Sequence, residues 1–263
     1  MKLSSGIHVP NYYRRDRRIE IIDPLKMPPL PDVGRLPGII PQRCAVTVES
    51  SAKSGAVSNT KTQAFTCTAA TALFITIATI SSSDSISVVS YNGTDLTQLW
   101  SKQAGAGVAL SLGYMMVNPS TGSNNVIVTF SASTAFEFVM VALLGTDTSS
   151  VAATHRTVYT ASDVANGPSV TVADSQSGDL VIDGCVNYNV GLTVGAGQTV
   201  TQQQDSFQGS SRSMGSSTES ASGANTVMSW TATTAAFNAT GATALIAAST
   251  AASAKQLAAL GVG

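Results

Sequence analysis

Charge is scarce in this sequence, because only 11% of its 263 residues are Asp, Glu, Lys or Arg. Aromatic residues are scarce too, at 6%. What remains is dominated by Ala, Ser, Thr, Gly and Val, a composition that suits many short strands with hydroxyl-rich outer faces. The length allows one large all-β domain or two small ones, and is sufficient to bury a real core.

Cysteine is limited to three widely spaced residues, Cys44, Cys67 and Cys185. Their number is odd and none forms a C-x-x-C pair, so neither a zinc site nor a disulfide framework is indicated. We expect small buried thiols in strands, which is how free cysteines usually behave. No metal and no cofactor is expected.

Long apolar runs are also missing. No run reaches the roughly 18 apolar residues that a membrane helix requires. The first residues, MKLSSGIHVPNYYRRDRR, contain no apolar segment of the kind found in secretory signals. We therefore expect a protein without a membrane anchor that is made in a reducing compartment.

The few charges are distributed unevenly, and this sets the first boundary. Residues 1–43 carry eight Lys or Arg and four acids, a net charge of +4, and hold seven of the nine prolines. The remaining residues carry six basic and eleven acidic side chains, a net charge of −5. Because proline fixes φ and removes a backbone donor, residues 1–43 are predicted to form an extended arm.

The arm also carries apolar side chains that a solvated linker would leave bare in water, so we expect it to lie on another surface. In NYYRRDRRIEII, tyrosines supply stiff contact area and arginines supply bidentate donors for acidic groups. A protein partner is preferred over nucleic acid and over a merely solvated charge run. The predicted partner-binding residues are Tyr12, Tyr13, Arg14, Arg15, Arg17, Arg18, Ile21, Ile22, Leu25, Leu30 and Arg35.

Residues 44–250 are predicted to form a β-sandwich body. Between residues 85 and 147, runs such as SISVVSY, VALSLGYMMV, VIVTFSAS and FEFVMVALLG are separated by turn residues or short connections, first of all Asn92 and Gly93. Val126, Val128 and Phe130 alternate with more polar residues, which is the period of a strand. CAVTVES, QAFTCT and ALFITIATI are three further predicted strands, ahead of this stretch.

Two later segments depart from this pattern. Residues 194–224 are rich in Ser, Gly and Gln, so we expect one or two mostly solvent-facing strands with a mobile loop. Residues 251–263 hold the one plausible helix or form a short tail. In all, about ten to fourteen strands are expected, and their spacing favours a jelly-roll-like antiparallel β-sandwich.

A resemblance to a known class rests on SYNGTDLTQL, LSLGYMMVNPSTGSNNVIVTFSAS and FEFVMVALLGTD. This succession of a YNG turn, an NP-x-x-G turn and a V-x-V-x-F strand resembles a β-sandwich domain of tailed-bacteriophage proteins and some bacterial surface proteins. An extended arm ahead of such a domain is similar in layout to phage capsid cement or decoration proteins. The resemblance implies a homotrimeric virion protein on the capsid surface, made in the host bacterial cytoplasm, with the major capsid protein or another virion protein as partner.

Two other functions are kept beside this structural one. The first is a tail or fibre adhesin or carbohydrate-binding module, with residues 202–222 as its tip. The second is a hydrolase, which would need two carboxylates facing each other across a cleft. Glu137 and Asp183 lie on strand faces with apolar residues, where a carboxylate more often pairs with Arg or lies at an interface.

An enzyme is not expected. His155 is the one histidine after residue 43, and no G-x-S-x-G elbow or comparable nucleophile setting accompanies it. Trp100 and Trp230 are interpreted as core residues rather than as platforms for sugar rings.

Overall fold

The structure is a computed structural model that describes residues 45–107 and 109–249. The strands are β1 (Thr47–Cys67), β2 (Ala72–Thr79), β3 (Ile86–Tyr91), β4 (Thr94–Asp95), β5 (Thr97–Gln103), β6 (Leu110–Val117), β7 (Gly122–Leu144), β8 (Tyr159–Ala165), β9 (Ser169–Val172), β10 (Leu180–Asn187), β11 (Thr193–Val194), β12 (Thr199–Gln204), β13 (Ser213–Ser220), β14 (Thr226–Thr231) and β15 (Ala236–Leu245). Within residues 45–107 and 109–249 there are also one α-helical turn, α1 (Val151–Thr154), and two 3₁₀ turns (Gly105–Gly107, Phe207–Gly209). The predicted all-β class, with antiparallel sheets packed as a sandwich, is confirmed.

The predicted arm, residues 1–43, and the predicted tail or helix, residues 251–263, lie outside the described residues. The strands that are described form three sheets. The first has the order β4-β3-β7-β2-β6-β5, with β1 on the other side of β7; the second is β12-β13-β10-β15-β8 and the third is β11-β14-β9.

A long ribbon of two strands forms one side of the first sheet. β1 and β7 pair antiparallel from Thr47 opposite Leu144 to Cys67 opposite Gly122. The register shifts midway, between Ser58 and Thr60. Near the same place β7 changes its other partner, from β3 to β2. An irregularity in the middle of β7 thus lets one strand serve two neighbours in succession.

The ribbon corrects two expectations. The connection expected between VIVTFSAS and FEFVMVALLG is wrong, because β7 continues through it. CAVTVES and QAFTCT are not separate strands either, since β1 includes the Ser- and Gly-containing residues between them. Backbone hydrogen bonds to β7 hold these residues of β1 in the sheet. Local amino-acid composition does not reveal such bonds.

The first sheet curls into a near-barrel around its own core. β4 and β5, its two end strands, are separated by one residue, Leu96, whose amide donates to the Val89 carbonyl at 2.8 Å. Inside lie Leu73, Ile75, Ile77, Tyr91, Leu112, Val126, Val128, Phe130, Phe136, Phe138 and Met140, among others. Val126, Val128 and Phe130 are buried as predicted, and the alternate residues are more exposed. The predicted turn at Asn92 and Gly93 is also confirmed, because both have positive φ, at 50° and 75°.

The second sheet packs on the outer face of the first. β2, β6 and β7 contribute Phe74, Met115, Val139 and Val141, and the second sheet contributes Ile182, Val186 and Met214. Trp100 lies in this layer between two glycines, Gly113 and Gly241, where an added Cβ would be within 2.5 Å of the indole ring. The Trp100 indole N–H donates to Ser111 Oγ at 3.2 Å, and Ser111 donates to the Gly184 carbonyl at 2.9 Å. A hydrogen-bonded tryptophan therefore joins these two sheets.

The third sheet covers the opposite face of the second. Val170, Val172 and Met228 pack against Val181 and Ala244, and Trp230 packs beside Cys185. Trp230 is 3% exposed, so the prediction that it is a core residue is confirmed. Cys67 and Cys185 are both buried and free, as predicted; Cys44 lies outside the described residues.

Two strands, β12 and β13, lie within residues 194–224, as expected, but the expectation that they are mostly solvent-facing is wrong for β13. Ser213–Ser220 is a strand whose first six residues are buried. The turn that precedes it is pinned by Phe207, which is 0% exposed. Residues 202–222 therefore include a strand that is packed into the body, whereas most residues of the turn at 205–211 are exposed.

Candidate functional site

The residues predicted to bind a partner lie outside the described residues. These are Tyr12, Tyr13, Arg14, Arg15, Arg17, Arg18, Ile21, Ile22, Leu25, Leu30 and Arg35. Their role as an anchor stays a prediction. The described part of the chain adds a groove at the start of β1.

A groove of about 530 Å³ lies at the start of β1. Its lining residues are Val46, Thr47, Val48, Leu180, Gly197, Thr199, Thr218, Glu219, Ser220 and Ser222. Val46 and Leu180 are buried and belong to the core between the first and second sheets, whereas Val48 is 36% exposed. The groove is thus a place where that core reaches the surface, with hydroxyl groups at its margin.

The groove exists because two sheet edges meet there without pairing. β1 is an edge of the first sheet and β12 is an edge of the second. Further along, side chains close the gap: Ser51 Oγ donates to the Thr201 carbonyl at 3.0 Å, and Lys53 Nζ donates to the Gln203 carbonyl at 2.5 Å. Residues 46–48 lie before these bridges, so the gap remains open beside them.

Glu219 gives the groove its charge. Its Oε2 atom is buried and has no hydrogen-bond partner among the described residues. Burial raises the pKa of Glu219 above its ordinary value. Gly197, with a φ of 87°, makes room for the carboxylate, because a Cβ at that position would lie 3.2 Å from Glu219 Oε1. The groove thus holds one carboxylate, with an oxygen that has no hydrogen-bond partner among the described residues, beside the apolar side chains of Val46 and Leu180.

The carboxylates considered for hydrolysis do not face each other. Glu137 lies on the side of β7 that packs toward the second sheet, and its Oε2 accepts from Gln208 Nε2 at 3.1 Å. Asp183 lies on the far side of the second sheet, where it contacts Trp230 of the third. The second sheet separates them. Burial raises the pKa of both carboxyl groups.

Asp183 is nevertheless a buried acid with a strongly raised pKa. It is 0% exposed, and burial raises its pKa to about 7, although three donors oppose the shift. Oδ1 accepts from the Ser217 amide at 2.6 Å and from Ser217 Oγ at 3.0 Å, and Oδ2 accepts from the Trp230 indole N–H at 2.8 Å. Through the Trp230 contact, Asp183 joins the second sheet to the third.

The remaining candidates are also engaged. His155 Nδ1 lies 2.5 Å from the Arg156 carbonyl oxygen, and Arg156 forms an ion pair with Asp179 at 2.5 Å. In the described part of the chain, no group of three or more His, Cys, Asp or Glu side chains is placed to hold a metal ion. Trp100 is 4% exposed, so it too is a core residue as predicted.

No family model matches the chain, and no curated protein or solved structure matches it either. Among the residues that the structure describes, no helix is long and apolar enough to cross a membrane.

No motif or pattern in the sequence indicates the groove. Its lining comes from four separate parts of the chain: residues 46–48, Leu180, residues 197–199 and residues 218–222. Glu219 stands in a Ser-rich segment without any neighbouring motif. Only the meeting of the two sheet edges brings these residues together.

Proposed function

We propose that this chain is a structural virion protein, a cement or decoration protein that binds a phage head through residues 1–43 and stabilises the shell. The observation that carries the proposal is the contrast between the two parts of the chain. Residues 1–43 have a net charge of +4 and seven of the nine prolines, whereas the rest has a net charge of −5. The major capsid protein or another virion protein is the proposed partner, and the capsid surface the proposed location.

The arm acts by binding. Prolines preset an extended backbone, so less conformational entropy is lost when the arm docks. Apolar side chains such as Ile21, Ile22 and Leu25 enter grooves of the partner, and the arginines at 14–18 bind its carboxylates. The likeness of residues 90–147 to phage sandwich domains supports this assignment.

The body contributes rigidity and a surface with little charge. Three layered sheets joined by buried tryptophans make a firm support for the arm. The outer face of the ribbon carries exposed Thr60, Thr62 and Thr66 from β1 and Ser123 from β7. Uncharged hydroxyl-rich faces of this kind suit close packing on a protein shell.

Co-sedimentation with purified phage heads that lack their own cement protein tests the proposal. We expect the full-length chain to sediment with the heads, and Arg14→Glu with Arg15→Glu to abolish this. Lys102→Glu, on β5, is a charge-reversal control within the body and should leave binding unchanged. Binding that survives the arm reversal would reject the arm as the anchor.

Two further measurements separate the alternatives. The native mass of the purified chain tests the proposed homotrimer. Binding of the chain to a glycan array, with no binding to heads, would favour the adhesin or carbohydrate-binding module instead.

A further inference from the structure

The groove at the start of β1 is bordered by strand edges that do not pair with each other. Among the described strands, β1 pairs only with β7 and β12 pairs only with β13, so the facing edges of β1 and β12 present backbone N–H and C=O groups to the groove. Edges of two stacked sheets lie about 10 Å apart, which is twice the spacing of paired strands. One extended segment therefore fits between such edges and can pair with their backbone.

The same groove contains a carboxylate that lacks a partner. The pairing of β12 with β13 begins at Thr199 opposite Thr218, so Glu219 lies just beyond it and lines the groove. The Oε2 atom of Glu219 is buried and has no hydrogen-bond partner among the described residues. A carboxylate shielded from water is costly unless a cation or a donor reaches it. The groove therefore favours an occupant that carries a basic side chain.

The charged neighbours of Glu219 on β1 are engaged elsewhere. Glu49 follows the groove along β1, and its two carboxylate oxygens accept from backbone amides of the turn after β1, at 3.1 and 2.6 Å. Lys53 donates to the Gln203 carbonyl at 2.5 Å. None of the described residues that line the groove is basic. Charge complementarity thus favours a cation that a partner supplies.

Apolar side chains determine what can lie beside that cation. Val46 and Leu180 form the floor of the groove, at 5% and 8% exposure, and Val48 stands at its margin, at 36% exposure. Serine and threonine hydroxyl groups make up most of the remaining lining. A small amine would neutralise the carboxylate but would leave the strand edges and this apolar floor uncovered. An extended peptide with small or apolar residues beside its basic one covers all three.

We propose that the groove binds an extended segment of a partner protein, which lies along β1 and places a Lys or Arg side chain on the Glu219 carboxylate. Backbone pairing supplies affinity, and the ion pair selects the register of the segment. This surface belongs to the body, so the inference goes beyond the arm of the proposed function and does not depend on it. A partner held at both places is bound more tightly than at either one alone.

A short peptide tests the site. The probe is acetyl-Val-Ala-Lys-Ala-Val-amide, and its neutral twin carries Gln in place of Lys. Each is titrated into the isotope-labelled full-length chain, and amide shifts are followed by NMR. We expect shifts at residues 46–48, 199 and 218–222, with a Kd of about 1 mM for the Lys probe, as suits a single short anchor. The twin should bind about tenfold more weakly, the factor for one charge-assisted hydrogen bond. Absence of these shifts at about 10 mM Lys probe would overturn the proposal.

Three variants locate the contact. Glu219→Gln should bind the two peptides equally, whereas Asp95→Asn, which changes an exposed acid on β4 outside the groove, should keep the preference for Lys. A preference that survives in Glu219→Gln would overturn the ion pair. Thr199→Trp fills the groove from the exposed start of β12 and should block both peptides. Unchanged binding by Thr199→Trp would also contradict the site.

The native mass of the chain without probe, at the concentration of the titration, tests a second copy as the occupant. Self-association that Glu219→Gln abolishes would overturn the proposal, because another copy of this chain would then fill the groove. These measurements use no phage heads, so their failure leaves the result of head binding standing. Failure of the arm to bind heads likewise leaves the peptide titrations standing.

Discussion

Asp183 makes the stability of this protein depend on pH in an unusual direction. Its pKa is about 7 in the folded chain, against an ordinary value of 3.8. Below pH 3.8 the group is protonated in both the folded and the unfolded state. As the pH rises toward 7, the unfolded chain loses this proton first, so the free energy of unfolding falls. Above pH 7 both states are ionised and this loss is complete.

The size of the effect follows from the two pKa values. A difference of about 3, at 1.36 kcal/mol for each, corresponds to a loss on the order of 4 kcal/mol across the whole range. About 3 kcal/mol of it falls between pH 5 and pH 8. This is a large part of the stability of an ordinary domain.

Asp183→Asn is the variant that isolates this group. An amide cannot ionise, but it does not satisfy the same donors, so we expect the variant to be less stable than the wild type at pH 5, by about 1–3 kcal/mol. The difference should shrink by about 3 kcal/mol by pH 8, where the variant matches or exceeds the wild type.

Urea unfolding between pH 4 and pH 8, followed by the fluorescence of the two buried tryptophans, measures the difference. Glu137 and Glu219 also have raised pKa values, and Asp147 has a lowered one, so their contributions cancel when variant and wild type are compared at each pH. The m-value should remain constant, as required for a change in stability alone. A difference between the two proteins that does not change from pH 5 to pH 8 would refute the reasoning.

Other predictions concern the packing of the sheets. Gly184→Ala places a Cβ 1.9 Å from Thr76 Oγ1, so it should lower stability by about 1–3 kcal/mol, and Thr76→Ala should restore part of this in thermal unfolding; unchanged melting would contradict the close approach of β10 and β2. Tyr91→Phe removes a hydroxyl that donates to backbone carbonyls of β1 and β7, at 3.3 and 3.1 Å, and should cost about 1 kcal/mol in urea unfolding. Trp230→Phe removes one donor from Asp183, so the pH-dependent loss should extend to higher pH; an unshifted profile would show that the indole does not hold the carboxylate.

Local patterns predicted the core strands well because those strands alternate with a fixed period. Val126, Val128 and Phe130 each project into the near-barrel, and nothing but their own spacing is needed to see it. The Asn92 and Gly93 turn was equally readable, since both residues adopt positive φ there. In these places the residue type and its structural role coincide.

Prediction failed where small residues pack against, or donate hydrogen bonds to, side chains that are distant in the sequence. Gly215 and Ser217 lie in the segment that was expected to be mostly solvent-facing. Gly215 instead leaves the space that the Trp230 ring fills, and Ser217 donates twice to Asp183. The amino-acid composition shows that such residues are small, but it does not show which distant side chain packs against them. The groove at Glu219 was hidden for a related reason, because it is a gap between two edges rather than a motif.

The two tryptophan joints solve the same packing problem with different chemistry. At Trp100 the acceptor is the neutral hydroxyl of Ser111, whereas at Trp230 it is the carboxylate of Asp183. Apolar surfaces alone would allow neighbouring sheets several relative positions, but each indole N–H finds its acceptor in only one of them. The neutral joint fixes that position at every pH. The charged joint fixes it at the cost of a buried carboxylate, so the third sheet is the layer whose attachment weakens first as the pH rises.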